Sequence, residues 1–365
     1  MLAELKKIFC QSFIYGLGAM VSPIVSFLML PLYTKFLTPE DYGVLALTGI
    51  VSVVISSVAG LGIRSGLIRI YYAYDGKDDR DAVVSSSLVF SLLSSAVICA
   101  VIYSSAPYTA GFLLMSENST EYFRLVIITA FFGVTSVNML DALRAEEKAK
   151  SYVTVSLVML VLTLLLNYYF VACLGRGVRG ILEVGVIGNI VSCLLLTPLV
   201  LKRKKMKISV PILKEVLQFG LPFVPSLIID IILSVSDRYF LGHYCSLREV
   251  GIYSLGYRIA SVVSMLITKP FKMAWVPYMF SVSKRSDAKN IYKKVLVYYV
   301  FISVWFGLAL SMIAREGLVI MTTPNYYGAW IVVPVVTLGY CLYGMDAVLV
   351  AGIHITRKTK YIACS

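Results

Sequence analysis

Arg258, Lys269 and Lys272 lie in or at the end of an apolar run from Glu249 to Phe271, and Asp230 and Asp237 lie in or just after another, Leu217 to Ser236. Each run has about the 20 residues needed to cross ~30 Å of hydrocarbon. A charge near the bilayer centre costs about 2.5 kcal/mol or more, so one retained there is a candidate for handling an ion or a charged solute. Arginine and lysine would take an anion, and the planar guanidinium suits phosphate because it donates two parallel hydrogen bonds. Aspartate would take a proton or a small cation. At about 100° per residue, Asp230 and Asp237, seven apart, share one helix face. Arg258 and Lys269, eleven apart, share another, with Lys272 one turn on. The plainer alternative is that Asp230 and Arg258 pair to lock two helices together.

The elements that carry these charges belong to a membrane protein. The 365 residues are 59% hydrophobic and 15% charged, with a mean hydropathy of +0.83, which no soluble globular domain approaches. The net charge of +13 sits mostly in short loops between apolar runs, as the positive-inside rule requires, so nucleic acid is not expected as a partner. Seven cysteines are scattered without a CxxC, and the two histidines, His243 and His354, stand far apart. Neither a disulfide framework nor a zinc site is expected, and no metal or cofactor is implied.

Ten spans are expected, at about residues 8–33, 42–63, 83–106, 123–140, 151–174, 181–201, 217–236, 249–273, 295–315 and 329–353, with boundaries uncertain by about 2 to 4 residues. The first is too long for a signal peptide and has no small-residue cleavage site. Of the 33 lysines and arginines, 25 fall in loops on one side of this arrangement and six on the other. We call the first the basic side. By the positive-inside rule it is cytoplasmic and holds the N terminus. The run KRKKMK at Lys202–Lys207 separates six spans from four, giving a lobe at 1–205 and a second at 206–365. The run is read as a linker and topology anchor, with anionic membrane lipids as the alternative partner.

The lobes resemble each other. Phe36-Leu37-Thr38-Pro39-Glu40-Asp41-Tyr42-Gly43-Val44 and the segment from Phe240-Leu241 to Leu247-Arg248-Glu249-Val250-Gly251-Ile252 both read as a span, an acidic turn, then a glycine opening the next span. Six spans separate them, so both copies face the same way, as in transporters whose lobes rock about a central site.

The runs PLYTKFLTPEDYGVLAL, SGLIRIYYAYDGKDDRDAVVSSS, SDRYFLG with GIYSLGYRIA, AWVPYMF, and NYYGAW with GIHITRKTKY resemble the polysaccharide biosynthesis flippases of the O-antigen and capsule type. That superfamily also holds the lipid II flippases and the multidrug and toxin extruders. The resemblance implies an all-α pair of six-helix lobes around a central cavity. It also implies movement of an undecaprenyl-diphosphate-linked oligosaccharide across the cytoplasmic membrane of a bacterium or archaeon, with polysaccharide assembly proteins as further partners. A diphosphate leaving water needs cations, and Arg64, Arg69, Arg258, Lys269 and Lys272 are the candidates. Topological anchoring is the alternative for Arg64 and Arg69. Asp230 and Asp237 are candidates for a coupling ion, followed by Asp346 and Glu183. The family commonly has at least twelve spans, so the second lobe, with four, reads as truncated.

Two rivals remain. Asp79-Arg80-Asp81 has the form of a glycosyltransferase DxD, but a loop of about 19 residues holds no catalytic domain, so an enzyme is not expected. A multidrug extruder would share the fold, and the cations in the second and eighth spans speak against it.

Overall fold

The computed structural model describes residues 25, 27–116, 118–202, 207–283, 285 and 287–351, and every regular element among them is helical. In chain order these are α1 (Leu30–Phe36), α2 (Pro39–Gly60), α3 (Ile63–Tyr71), α4 (Lys77–Leu114), α5 (Ser119–Ala145), α6 (Ala149–Asn167), α7 (Gly177–Leu201), α8 (Val210–Gly220), α9 (Phe223–Tyr244), α10 (Leu247–Val263), α11 (Lys269–Val282), α12 (Ala288–Met321) and α13 (Val332–Leu349). A π-helical turn at Tyr168–Cys173 extends α6, another at Ser264–Thr268 joins α10 to α11, and a 3-10 turn at Pro324–Ile331 leads into α13.

Among the described residues, nine segments are long and apolar enough to cross a membrane. They coincide one for one with the second to tenth expected spans, and the protein is an all-α, multi-pass membrane protein. Nearly all of the expected first span, the basic residues 203–206 and the GIHITRKTKY run lie outside the described residues. The chain forms two compact units, Met1–Gly251 and Ile252–Ser365, and the division falls inside α10.

Local chemistry explains where the helices begin and bend. Thr38 caps α2 reciprocally: its Oγ1 accepts from the Asp41 N–H at 3.2 Å and Asp41 Oδ2 accepts from the Thr38 N–H at 3.1 Å, with Pro39 as the first helical residue. Such a capping box satisfies two otherwise orphaned N–H groups. The helix ends where Leu61 and Gly62 turn left-handed, at φ 45° and 68°. The 38 residues of α4 make about 57 Å of helix at 1.5 Å per residue, so it extends well beyond the hydrocarbon. Ser85, Ser86, Ser87, Ser91 and Ser95 of α4 are buried, small side chains of the kind that let helices approach closely in lipid. Asn138 Nδ2 of α5 donates to Ser91 Oγ at 2.6 Å.

Two close approaches pin the first unit. A Cβ on Gly43 would lie 2.0 Å from the Leu247 carbonyl oxygen, and one on Gly251 would lie 1.9 Å from that of Pro39. These are the glycines that open the equivalent spans of the two repeated segments, and they pack on each other reciprocally. Toward the basic side, Gly62 and Gly220 do the same, with Cβ-to-carbonyl distances of 2.1 and 2.4 Å, and a Cβ on Gly66 would stand 2.3 Å from the Val216 oxygen.

Candidate functional site

A buried carboxylate flanked by two arginines stands at the basic end of α5. Asp141 is 1% exposed and stands between two arginines. Arg64 Nε lies 2.7 Å from Asp141 Oδ2, and Arg144 Nη1 donates to Asp141 Oδ1 at 3.1 Å. Arg144 also stacks over the Tyr152 ring, 4.6 Å from its centroid, and donates to its hydroxyl. The local sequence explains this placement. Arg64 and Gly66 are two residues apart on α3, about 200° round the helix, so when Gly66 is pressed on α8 Arg64 is turned the other way, toward α5. Arg64 nevertheless remains 59% exposed. It is therefore an exposed cation anchored at one edge. Arg69, a turn and a half further along α3, is exposed.

The other candidates fall in different settings. α9 carries Asp230 and Asp237 and buries none of its residues. Asp230 is exposed, and its carbonyl accepts from Ser234 Oγ at 2.6 Å. Asp237 is half-buried, with Oδ1 2.8 Å from the Arg238 amide. Beside them α2, α4 and α9 enclose an apolar cavity of about 470 Å³, lined by Val51, Ile55, Thr109, Ile231, Val235 and Tyr239 among others. Neither aspartate lines it. Glu183 is taken up at the opposite end of the unit, 2.6 Å from Arg176 Nη1 and 3.0 Å from Arg179 Nε.

In the second unit Arg258 is half-buried, and the π turn at Ser264–Thr268 stands between it and the lysines. A π turn takes up one extra residue, which slips the helical phase by roughly 100°. Lys269 and Lys272 are thereby rotated off the Arg258 face that a uniform helix would give them. Lys269 is exposed; Lys272 places Nζ over the Tyr343 ring, 3.2 Å from its centroid, one turn before the exposed Asp346 on α13. The turn itself is held by Thr268, whose Oγ1 lies 3.2 Å from the Tyr299 hydroxyl. Such turns recur at functional sites, and periodicity gives no sign of them. The DxD run, Asp79 to Asp81, forms part of the first turns of α4.

The fold resembles that of solved MOP-superfamily transporters. The chain aligns with an inward-facing multidrug resistance MATE family transporter of that superfamily at a TM-score of 0.66 and 17% identity, covering 91% of this chain and 84% of that one. It aligns with the MATE multidrug transporter DinF-BH at a TM-score of 0.67 and 18% identity, covering 98% and 84%. A MOP superfamily transporter from Pyrococcus furiosus, described as having a binding pocket of reversed polarity, aligns at 0.59 and 17%, covering 95% and 82%. Identities this low establish the fold and nothing finer. Residues 32–330 match the polysaccharide biosynthesis protein family model, and the chain belongs to that family. A Haemophilus influenzae protein named for the Lsg locus is 24% identical over 331 residues, 89% of this chain and 77% of its own length. An uncharacterized membrane protein of the same organism is 24% identical over 328 residues, 87% and 74%.

Proposed function

We propose that the protein is a flippase, carrying a lipid-diphosphate-linked oligosaccharide repeat unit from the cytoplasmic to the outer leaflet for surface polysaccharide synthesis. The basic side is the cytoplasmic face, and the carrier lipid is undecaprenyl diphosphate. Arg64 carries the reading: an exposed guanidinium on the basic side, held by one edge and open at the other, is suited to a diphosphate that must leave water. Membership of a polysaccharide biosynthesis family supports a polysaccharide precursor as the substrate class. Arg69, Arg258, Lys269 and Lys272 are assigned to the same anion along its path, and Asp230, Asp237 and Asp346 to the coupling ion. The two lobes, 1–205 and 206–365, would alternate access by exchanging contacts such as Gly43 with Gly251 and Gly62 with Gly220.

Mass spectrometry of lipid extracts from cells with and without the gene tests this. A complete lipid-linked repeat unit should accumulate in its absence while surface polysaccharide falls. Lipid-linked sugars that stop at an incomplete unit would instead assign the protein to assembly as an enzyme. Unchanged lipids would leave an extruder of small molecules as the better account. Within the site, Arg258→Ala should abolish transport with expression intact, and Arg258→Lys should retain part of it; full transport by the alanine variant would remove Arg258 from the path.

A further inference from the structure

We infer that Asp141 is a positioning residue for anion binding: it holds the Arg64 guanidinium by its Nε edge so that both Nη atoms are presented to a diphosphate group. The inference rests on the reading of Arg64 given above. Three observations carry it. Asp141 Oδ2 forms a close ion pair with Arg64 Nε at 2.7 Å without accepting a directed hydrogen bond, so the donors on both Nη atoms remain, the pair that a phosphate oxygen fork matches. Asp141 is 1% exposed whereas Arg64 is 59% exposed. A pair serving only to lock α3 onto α5 would bury both partners, and an arginine serving only topology would need no buried carboxylate.

The third observation is the charge count. A carboxylate paired with Arg64 alone would cancel the charge needed for the anion. Arg144 takes the other oxygen, and Tyr152 holds Arg144 in turn. The group of Arg64, Asp141 and Arg144 therefore keeps one net positive charge, and its exposed member is Arg64. The backbone contacts of Gly62 on Gly220 and Gly66 on Val216 fix α3 from behind. The guanidinium is thus held in place before the anion arrives, and little side-chain entropy remains to be lost on binding.

The test uses the full chain in lipid nanodiscs, titrated with inorganic diphosphate by calorimetry and, in a second arm, with a polyprenyl-diphosphate lipid in the disc. Arg64→Ala and Asp141→Asn should each weaken binding about tenfold, equivalent to ~1.4 kcal/mol. The double variant should be no weaker than either single, because both changes remove the same contact. Asp141→Glu should restore part of the affinity. Arg69→Ala should add independently to Asp141→Asn. Unchanged binding in Arg64→Ala would remove Arg64 from the anion site and with it the reading on which the inference rests. Loss in Arg64→Ala with none in Asp141→Asn, or additive losses in the double variant, would overturn the positioning role alone. If Asp141→Asn does not fold, the same cycle is run with Asp141→Glu, whose longer arm should misplace the guanidinium and weaken binding only when Arg64 is present. The expected variant pattern in either arm supports the role; preference for the lipid assigns the site to a headgroup and preference for the soluble ion to a free anion.

Discussion

Glu183 on α7 and Asp141 on α5 are each approached by two arginines, toward opposite ends of the first unit. Glu183 draws its partners from its own neighbourhood: Arg179 is one turn back, Arg176 lies just before the helix, and Arg179 also reaches Glu121 at 3.0 Å. Its side chain is 17% exposed and those of the arginines about half exposed, so water competes for every contact. Asp141 has one local partner, Arg144, and one that is 77 residues away in sequence, Arg64, and it is nearly sealed from solvent. The difference separates a carboxylate that tidies a helix start from one that ties two helices together and aims a cation. Burial sets the energy: exposed ion pairs contribute about 0 to 1 kcal/mol, whereas removing one partner of a buried pair costs about 3 to 5 kcal/mol.

Asp141→Ala should destabilise the protein by about 1 to 3 kcal/mol, because half-buried Arg144 loses a hydrogen-bonded counter-ion while exposed Arg64 is resolvated, read as a shifted midpoint in SDS titration from mixed micelles. A cost similar to that of Glu183→Ala would mean that the Asp141 site is wet. The glycine contacts come next. Gly251→Ala should cost about 1 to 3 kcal/mol by overpacking against the Pro39 carbonyl. Gly49→Ala, in the middle of α2 with nothing within 4 Å of the added carbon, should instead stabilise by about 0.5 to 1 kcal/mol. Equal effects would show that the α2–α10 approach is looser than 1.9 Å implies. Tyr152→Phe, removing one hydroxyl acceptor from Arg144, should cost about 0.5 to 1.5 kcal/mol, and Glu183→Ala no more than about 1 kcal/mol.

The smallest effect is expected in the turn between α11 and α12. There Arg285 donates to both carboxylate oxygens of Asp287 at 2.9 Å, and those hydrogen bonds hold the Asp287 carboxyl below the usual carboxylate range. A depressed folded value stabilises above the ordinary carboxylate pKa, and the effect is lost as pH falls through the folded value. The pair is exposed, so Asp287→Asn should leave the SDS midpoint unchanged at neutral pH. A measurable loss that vanishes in acid would show that the turn is more protected than Glu183.

Much of the fold was legible because hydropathy over 20 residues is a strong signal. A span's composition is set by the solvent it crosses, and all nine described spans follow it. The start of α2 was equally readable, since Thr38, Pro39 and Asp41 satisfy their own backbone within one turn. The candidate site was legible only as residue types. Arg64 could be named as a cation for phosphate, but its partner could not, because no local pattern links position 64 to position 141. The one hint was Asp141 and Arg144, three apart at the end of a span, which is the signature of a paired intramembrane charge. For Arg258, Lys269 and Lys272 the spacing rule assumed a uniform helix, and the π turn at Ser264–Thr268 breaks it. The turn is stabilised by Thr268 against Tyr299 on a different helix, so nothing within its own five residues announces it.

Composition and spacing alone therefore established the class of protein, the number and order of the described spans, the basic side and the repeated glycine at the head of α2 and α10. These depend on solvent, periodicity and neighbours in the chain. Helix packing settled that Gly43 meets Gly251, that Asp141 is more deeply buried than Glu183, and that Arg64 is paired with Asp141 yet exposed. Those outcomes are set by which helices pack together, and a contact across 77 residues has no energy until the chain between them has folded.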